Sequence, residues 1–126
     1  MASAVGATMG PEMEAAVAEL RETQGALQSL MDGRAALQTQ AHENDMVKQE
    51  FKLLEDDASV FKLVGPVLVK QDLQEARANV EKRIEYIKEE LGRVDAQTKE
   101  SEKKMEAQRG VVMQMQQRAQ VPRQEQ

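Results

Sequence analysis

Residues 59–69 read Ser-Val-Phe-Lys-Leu-Val-Gly-Pro-Val-Leu-Val, an apolar stretch between two much longer helical patterns. The Gly65-Pro66 pair cannot continue a helix, so the stretch is predicted to fold back as a β-hairpin at about 58–70. Its predicted strands are Val60–Val64 and Val67–Val69. The alternative is a hydrophobic loop that packs on the chain's own helices, but two helices that already pair offer little surface for it.

An isolated two-stranded hairpin is marginal in water, and this one would expose seven large apolar side chains. Burying such a side chain is worth about 1.5–3 kcal/mol, so leaving all seven in water forfeits on the order of 10 kcal/mol. That is comparable to the whole stability of many domains. The hairpin is therefore predicted to join strands of neighbouring subunits. The predicted oligomerisation residues are Val60, Phe61, Leu63, Val64, Val67, Leu68 and Val69.

A long helical pattern precedes the hairpin, and one stripe of residues along it, which we call the seam, is predicted to pack against the other helix. The first helix is predicted over about 11–55, with Pro11 in its first turn, where the missing N–H costs nothing. Its apolar residues recur at spacings of three and four, and three polar residues lie on or beside them. The apolar residues are Met13, Val17, Leu20, Leu27, Met31 (or Leu30), Leu37, Ala41, Val47, Phe51 and Leu54; the polar ones are Gln24, Arg34 and Asn44.

A second seam follows the hairpin. This helix is predicted to begin after Asp72, which has the N-cap spacing to Glu75, and to end before Pro122. Its seam residues are Leu73, Arg77, Val80, Ile84, Ile87, Leu91, Val94, Thr98, Ser101, Met105, Gln108, Val112, Met115 and Ala119. Because the connector is short, the helices are predicted to be antiparallel. With the chain folding back near Gly65-Pro66, the numbers of two residues that face each other across the helices should add to about 125, as for Leu20 and Met105.

The composition favours a coiled coil over a globule. Of 126 residues, 2% are aromatic and 31% are charged, so apolar surface has to be buried along a thin seam. The predicted fold class is mainly α: an antiparallel two-helix coiled coil with a central β-hairpin. Residues 11–120 are predicted to form a single arm, and segments 1–10 and 121–126 are predicted to be disordered.

Charge and motif content disfavour several classes of function. The net charge is −5 and no dense basic stripe occurs, which disfavours a nucleic-acid partner. His42 is the only histidine and cysteine is absent, so no metal site is predicted. No nucleophile elbow, P-loop or dinucleotide-binding motif occurs, so neither an enzyme nor a cofactor is predicted.

The sequence also bears on location. Residues 1–10 lack the basic and apolar regions of a signal peptide. No apolar run approaches the ~20 residues of a membrane span, so no membrane partner is predicted. A cytoplasmic location is predicted, with a nuclear pool left open.

Methionine and valine gather where the two helices should end together, in what we term the tip cluster. Thioether side chains are flexible and polarisable, and they suit surfaces that bind many partners. Val111 and Met113 also lie off the strict seam, so the apolar band is wider than one partner helix requires. For Met105, Val112 and Met115 the alternative is ordinary seam filling. The tip cluster comprises Met9, Met13, Val111, Val112, Met113 and Met115.

Four stretches of the sequence resemble parts of the beta-class prefoldin subunits. The similar stretches are Gly33-Arg34, residues 43–50, residues 60–73 and Glu75-Ala76-Arg77, and residues 61–73 are the most specific of them. The resemblance covers about residues 15–120. A single hairpin, rather than two, marks the beta class.

The resemblance implies a chaperone subunit. Prefoldins are hexamers of two alpha-class and four beta-class subunits, whose hairpins join into a double β-barrel platform. Their coiled coils hold unfolded polypeptides such as actin and tubulin at the tips and pass them to the group II chaperonin without ATP. The hairpin here would then join the inter-subunit β-barrel, and the tip cluster would bind clients.

Two other functions stay open from the residues alone. A structural coiled-coil scaffold or tethering subunit would assemble in the same way without binding clients. A helical nucleic-acid binder is a more distant alternative, because the acidic balance of the chain disfavours it.

Overall fold

The chain runs helix, strand, strand, helix. The structure, a computed structural model, describes residues 10–120 of the 126. In chain order the elements are α1 (Pro11–Leu53), β1 (Val60–Val64), β2 (Val67–Gln71) and α2 (Leu73–Gln120). The predicted mainly helical fold with a central β-hairpin is confirmed. The segments predicted to be disordered, 1–10 and 121–126, lie outside the described residues except for Gly10.

The residues group into two compact units. The hairpin unit is Gly33–Val94, which holds both strands and the helical segments next to them. The terminal unit comprises Met1–Asp32 and Asp95–Gln126, of which residues 10–32 and 95–120 are described. That residues 11–120 act as a single arm stays a prediction.

The hairpin closes through a two-residue turn. β1 and β2 are antiparallel, with Val64 opposite Val67 and Val60 opposite Gln71. Gly65 has a φ of 59°, a value that favours glycine, whereas the ring of Pro66 holds its φ negative. These signs are those of a type II′ turn, whose twist matches the twist of the strands. β2 runs two residues beyond the predicted end, because Lys70 and Gln71 complete the ladder with β1.

Both ends of α1 follow from local chemistry. At its start the Glu14 N–H donates to the Gly10 carbonyl (2.9 Å), so Pro11 occupies the first helical position, as predicted. α1 ends at Leu53, slightly before the predicted end at about 55. The acidic residues that follow suit the negative end of a helix poorly. There the Ala58 N–H closes a turn on the Glu55 carbonyl (3.0 Å).

α2 begins at a side-chain cap. Asp72 Oδ2 accepts a hydrogen bond from the Glu75 backbone N–H (3.1 Å), and the Asp72 carbonyl accepts one from the Ala76 N–H (2.9 Å). The predicted N-cap at Asp72 is confirmed. Such a cap is worth about 1 kcal/mol, and here it fixes the point at which the strand ends and the helix starts.

The seam of α2 follows the predicted one except near its start, where Ala76 is buried and the predicted Arg77 is half-buried. Its buried residues are Leu73, Ala76, Val80 and Ile87 in the hairpin unit and Val112 in the terminal unit. Thr98 and Ser101 are half-buried, so the polar part of the seam also lies where predicted, whereas Ala119 is exposed. The seam is thin: even Ala76, the most enclosed of the buried residues, remains 4% exposed.

The seam of α1 departs from the predicted one at two places. Thr23 is buried and Lys48 half-buried, whereas Gln24 and Val47 are exposed. Of the two alternatives Met31 and Leu30, Leu30 is half-buried and Met31 is exposed. The regular spacing of the helix decides which residue faces the seam, whatever its polarity. The polar residues that occupy it have partners: Thr23 Oγ1 donates to the Glu19 carbonyl (3.1 Å), and Lys48 Nζ lies 3.1 Å from Glu81 Oε1.

The helix register in the hairpin unit differs from the predicted one by about one helical turn. The predicted register placed Arg77 opposite Lys48, but Lys48 pairs with Glu81, and Arg77 instead contacts Phe51. The physical reason is the tight hairpin, which centres the pairing between Gly65 and Pro66. The two helices pair about nearly the same point of the chain, so the numbers of two residues that face each other add to nearly 130 rather than to the predicted 125.

Arg77 joins the end of α1 to the start of α2. Its Nη2 donates to the Phe51 carbonyl (2.8 Å) and to the Leu54 carbonyl (3.1 Å), and its Nη1 lies 3.6 Å from Asp56 Oδ1. The last carbonyls of a helix have no partner inside the helix, so the guanidinium replaces the missing donors. A cation at this end also interacts favourably with the helix dipole.

We expect Arg77→Ala to lower the free energy of unfolding by about 1.5–3 kcal/mol, since hydrogen bonds to charged groups contribute that much. Arg77→Lys should recover only part of the loss, because an ammonium has one nitrogen, whereas the guanidinium reaches both carbonyls through Nη2 and Asp56 through Nη1. Urea unfolding at fixed protein concentration, followed by circular dichroism, measures the difference. Lys82→Ala, an exposed change one turn along α2, serves as the control. Equal stability of Arg77→Ala and Lys82→Ala would contradict the capping role.

Candidate functional site

The hairpin has two apolar faces. Residues directly opposite each other in an antiparallel pair lie on the same face, and successive residues alternate between faces. The register therefore gives one face with the larger side chains and one with the valines. The phenylalanine face carries Phe61, Leu63, Leu68 and Lys70, and the valine face carries Val60, Lys62, Val64, Val67, Val69 and Gln71.

Neither face is covered by the chain itself. On the phenylalanine face Leu63 and Leu68 are 67% and 66% exposed, and on the valine face Val67 is 57% exposed. Of the seven predicted oligomerisation residues, only Val60 is half-buried. Since the other six keep roughly half of their area in water, completing their burial is worth on the order of 5–10 kcal/mol. That is large compared with the stability of a typical small domain.

Both long edges of the hairpin are also open. In the described part of the chain the sheet has two strands only, so each strand has one edge with unpaired N–H and C=O groups. Such an edge is a template for another strand. The hairpin therefore combines two apolar faces with two unpaired edges. This arrangement can accept strands from other chains.

The terminal unit separates the tip cluster into buried and exposed members. Met13 and Val112 are buried and Met115 is half-buried, so these three fill the seam. Val111 and Met113 are 46% and 58% exposed. Met9 lies outside the described residues. Of the tip cluster, Val111 and Met113 are thus the residues that a partner polypeptide reaches without moving a helix.

A shallow groove lies beside Val111. It is lined by Ala16, Glu19, Lys104, Ala107, Gln108 and Val111, and its volume is about 260 Å³. Gln108, which lines the groove, is also a half-buried residue of the α2 seam, so the groove lies beside a polar part of the seam.

Sequence reasoning did not predict that Arg77 caps the end of α1. It also did not predict a groove between the hairpin and the two helices, which we call the groove below the hairpin. An arginine on an otherwise aliphatic seam is a signal for Arg77, although its carbonyl partners follow only from the fold. The groove is built from α1, β1 and α2 together, so no local pattern marks it.

The described residues were also compared with the requirements of a metal site and of a membrane span. Within residues 10–120 no three His, Asp or Glu side chains are close enough to hold a metal ion, and His42 is exposed. None of the helices in that range is long and apolar enough to span a membrane.

Comparisons with known proteins agree with this geometry. The family model described as "Prefoldin subunit" matches residues 14–119. Prefoldin subunit 6 from Arabidopsis thaliana is 57% identical over 81 residues, which are 64% of this chain and 63% of that protein. The chain thus spans just under two thirds of the Arabidopsis protein. Prefoldin subunit 6 from Mus musculus is 43% identical over 106 residues, which are 84% of each chain.

Solved structures extend the likeness to three dimensions. The crystal structure of the prefoldin beta subunit from Thermococcus strain KS-1 matches with a TM-score of 0.75 and 26% identity, covering 90% of this chain and 96% of that one. The prefoldin beta2 subunit of the same strain matches with a TM-score of 0.62, covering 72% and 97%; at 19% identity it supports the fold alone. The resemblance to beta-class prefoldin subunits is confirmed, and the two relatives with the sequence identities given above are both prefoldin subunit 6.

Proposed function

The chain belongs to the prefoldin subunit family, and on that premise we propose that it is one subunit of a hetero-hexameric, ATP-independent co-chaperone. The prefoldin family is a chaperone family. In this proposal the hairpin joins the hairpins of other prefoldin subunits, both alpha-class and beta-class, in a β-barrel platform. The complex captures unfolded polypeptides of the actin and tubulin kind and delivers them to the cytosolic group II chaperonin.

One observation carries the assembly part of the proposal: the apolar hairpin is exposed on both faces and open at both edges. Burial of six side chains and pairing of two edges together provide the driving force for association. A β-barrel encloses one face, which carries three of the six exposed side chains, and it leaves no strand edge unpaired.

The capture part rests on Val111 and Met113. Both side chains are exposed in the terminal unit, and Met113 is flexible enough to adapt to many client sequences. Contacts of one arm are weak, but several arms that hold one client raise the overall affinity through effective concentration. Release then needs no ATP, because each contact opens on its own.

A scaffold or tethering subunit without client binding is the second candidate. The specific observation that favours it is the burial of Met13 and Val112, which uses part of the tip cluster to hold the helices together. The two candidates share the platform and differ only in whether exposed residues of the terminal unit bind unfolded chains.

Native mass spectrometry of the chain alone, and then mixed with the other prefoldin subunits of its source organism, tests the proposal. We expect a species of six subunits that contains this chain only in the mixture. We also expect that complex to suppress aggregation of chemically unfolded actin without added ATP. A mixture in which the chain stays outside every complex would overturn the proposal.

A further inference from the structure

The open edge of β1 has a shape that a second copy of this chain could match. Two identical strands pair antiparallel about a two-fold axis, so the residue at the centre of the strand lies opposite itself. β1 has five residues, and its central one is Lys62. In that pairing Val60 lies opposite Val64 of the second copy. Phe61 lies opposite its Leu63.

The apolar side chains would fit together in this arrangement. Residues that lie opposite each other share a face, so Phe61 and Leu63 of the two copies form one row on the phenylalanine face. Leu68 lies opposite Leu63 within each hairpin and extends the apolar surface across both copies. Each of these three side chains is at least 55% exposed in the single chain. Their burial therefore favours self-association through β1.

Lys62 opposes the same pairing. Side chains directly opposite each other have Cβ atoms about 4.5–5.5 Å apart, and like charges there destabilise a sheet. Lys62 is exposed and has no ion pair within residues 10–120. Neither strand contains a carboxylate, and Arg83, which also lines the groove below the hairpin, adds a second positive charge nearby. In the described part of the chain the charge of Lys62 is therefore uncompensated.

Other registers of the two β1 strands lose more than they gain. A shift by one residue turns the side chains of one copy to the opposite face, because side chains alternate along a strand. A shift by two residues separates the lysines, but only three of the five residues of β1 then have a partner. A second copy that uses the whole strand must therefore place Lys62 opposite Lys62.

The edge of β2 is a poorer match for a second copy. Pairing about its central residue, Val69, places Leu68 opposite Lys70 of the second copy. Both belong to the phenylalanine face, so an ammonium group interrupts the apolar row there. Lysines on edge strands are one means by which sheet proteins prevent unwanted strand addition. Of the two lysines in the hairpin, Lys62 is the one that stands between apolar residues that otherwise match.

We propose that Lys62 prevents two copies of this chain from pairing through β1 and so reserves that edge for a different strand. The strand that fits carries a carboxylate or an uncharged side chain opposite Lys62. The inference rests on the proposed assembly through the hairpin. It adds a basis for the choice of partner, because the edge favours a different subunit over a second copy.

A charge swap in the full-length chain tests the proposal, with a second copy as the probe. The wild type alone and Lys62→Glu alone each place like charges on the two-fold axis, so each should dimerise weakly. An equimolar mixture pairs lysine with glutamate. We expect the dimer Kd of the mixture, measured by sedimentation equilibrium, to be about tenfold or more below that of either chain alone. Lys62→Gln, which removes the charge, should dimerise by itself more tightly than the wild type.

Lys70→Glu is the matched control, because it makes the same charge change in the hairpin but away from the β1 axis. Its mixture with the wild type should dimerise no more tightly than the wild type alone. A Lys62→Glu mixture with no lower Kd than its two components would overturn the inference. An equal gain from the Lys70→Glu mixture would also overturn it, since net charge and not position would then decide the pairing.

Disulfide trapping locates the contact. The chain has no cysteine, so one cysteine at Val60 of the wild type and one at Val64 of Lys62→Glu report on each other. Residues opposite each other are close enough for a disulfide, which we expect under mild oxidation of the mixture. Trapping through cysteines at Val69 instead would place the contact on β2 and contradict the inference.

The inference and the proposed platform can fail separately. If Phe61→Asp blocks entry into the prefoldin complex while the charge swap at Lys62 has no effect, this inference fails alone. If Phe61→Asp assembles normally, the proposed platform fails as well.

Discussion

Phe61→Asp is expected to prevent the chain from entering the prefoldin complex while its helical content stays unchanged. Phe61 lies on the phenylalanine face and is 55% exposed in the chain itself, so an aspartate there meets water and leaves the lone subunit intact. In the assembled platform the same carboxylate would be enclosed by apolar strands. Burial of an unpaired charge costs several kcal/mol, and about 4 kcal/mol corresponds to roughly a thousandfold loss of affinity.

Leu68→Asp should have the same effect, because Leu68 lies opposite Leu63 on the same face. Light scattering of the mixed subunits measures assembly, and circular dichroism at 222 nm measures helicity. Met31→Asp is the matched control: Met31 lies on α1 and is also 55% exposed, but it is not part of the hairpin. Full assembly of Phe61→Asp or Leu68→Asp, at the concentration at which Met31→Asp assembles, would refute the platform account.

The second large effect is expected at the terminal unit. The double variant Val111→Asp/Met113→Asp should assemble normally but lose most of its ability to suppress aggregation of an unfolded client. Both residues are exposed, so the substitutions leave the buried seam residues Met13 and Val112 in place. Carboxylates remove the apolar contact area that a client would cover. Because several arms act together, we expect the amount of complex needed for half-maximal suppression to rise about tenfold or more.

Met31→Asp/Met46→Asp provides the control for this experiment, since both methionines are exposed to the same extent, 55%, and neither belongs to the tip cluster. Removal of residues 1–17 and 108–126 is the coarser form of the same test, with the same expected outcome. A structural scaffold without client binding predicts unchanged suppression by both the double variant and the truncated complex. That result would favour the scaffold over the chaperone.

The hairpin and the start of α2 could be predicted because single residues decide them. The φ of 59° at position 65 favours glycine, and Pro66 prevents a helix from continuing through this point. Asp72 lies three residues before Glu75, so its carboxylate oxygen reaches the Glu75 N–H through local geometry alone. Local chemistry of this kind is visible in the sequence.

The seam of α1 could be predicted only in part, because hydrophobicity and helix geometry disagree there. Val47 is apolar and Lys48 is charged, yet Lys48 takes the seam position and Val47 lines the groove below the hairpin. The lysine tolerates this because its apolar stem lies along the seam while its ammonium reaches Glu81. A pattern of apolar residues alone does not reveal such an exchange.

The spacing of α2 predicted Val112 in the seam and Val111 outside it, and the burial of Val112 and exposure of Val111 agree. The role of Arg77 could not be predicted in this way, because it depends on three-dimensional packing. Arg77 finds its partners 23 and 26 residues earlier in the chain, at the end of another helix. Such long-range pairs require the register, which differed from prediction by one turn.

Amide hydrogen exchange can show whether the hairpin needs neighbouring subunits to complete its structure. In the dilute lone chain, amides of residues 60–71 should exchange quickly, close to the rate of an unfolded peptide, because the two-stranded sheet opens readily. In the assembled complex their exchange should slow by about a hundredfold or more. A monomeric chain whose hairpin amides are as well protected as those in the complex would contradict the account.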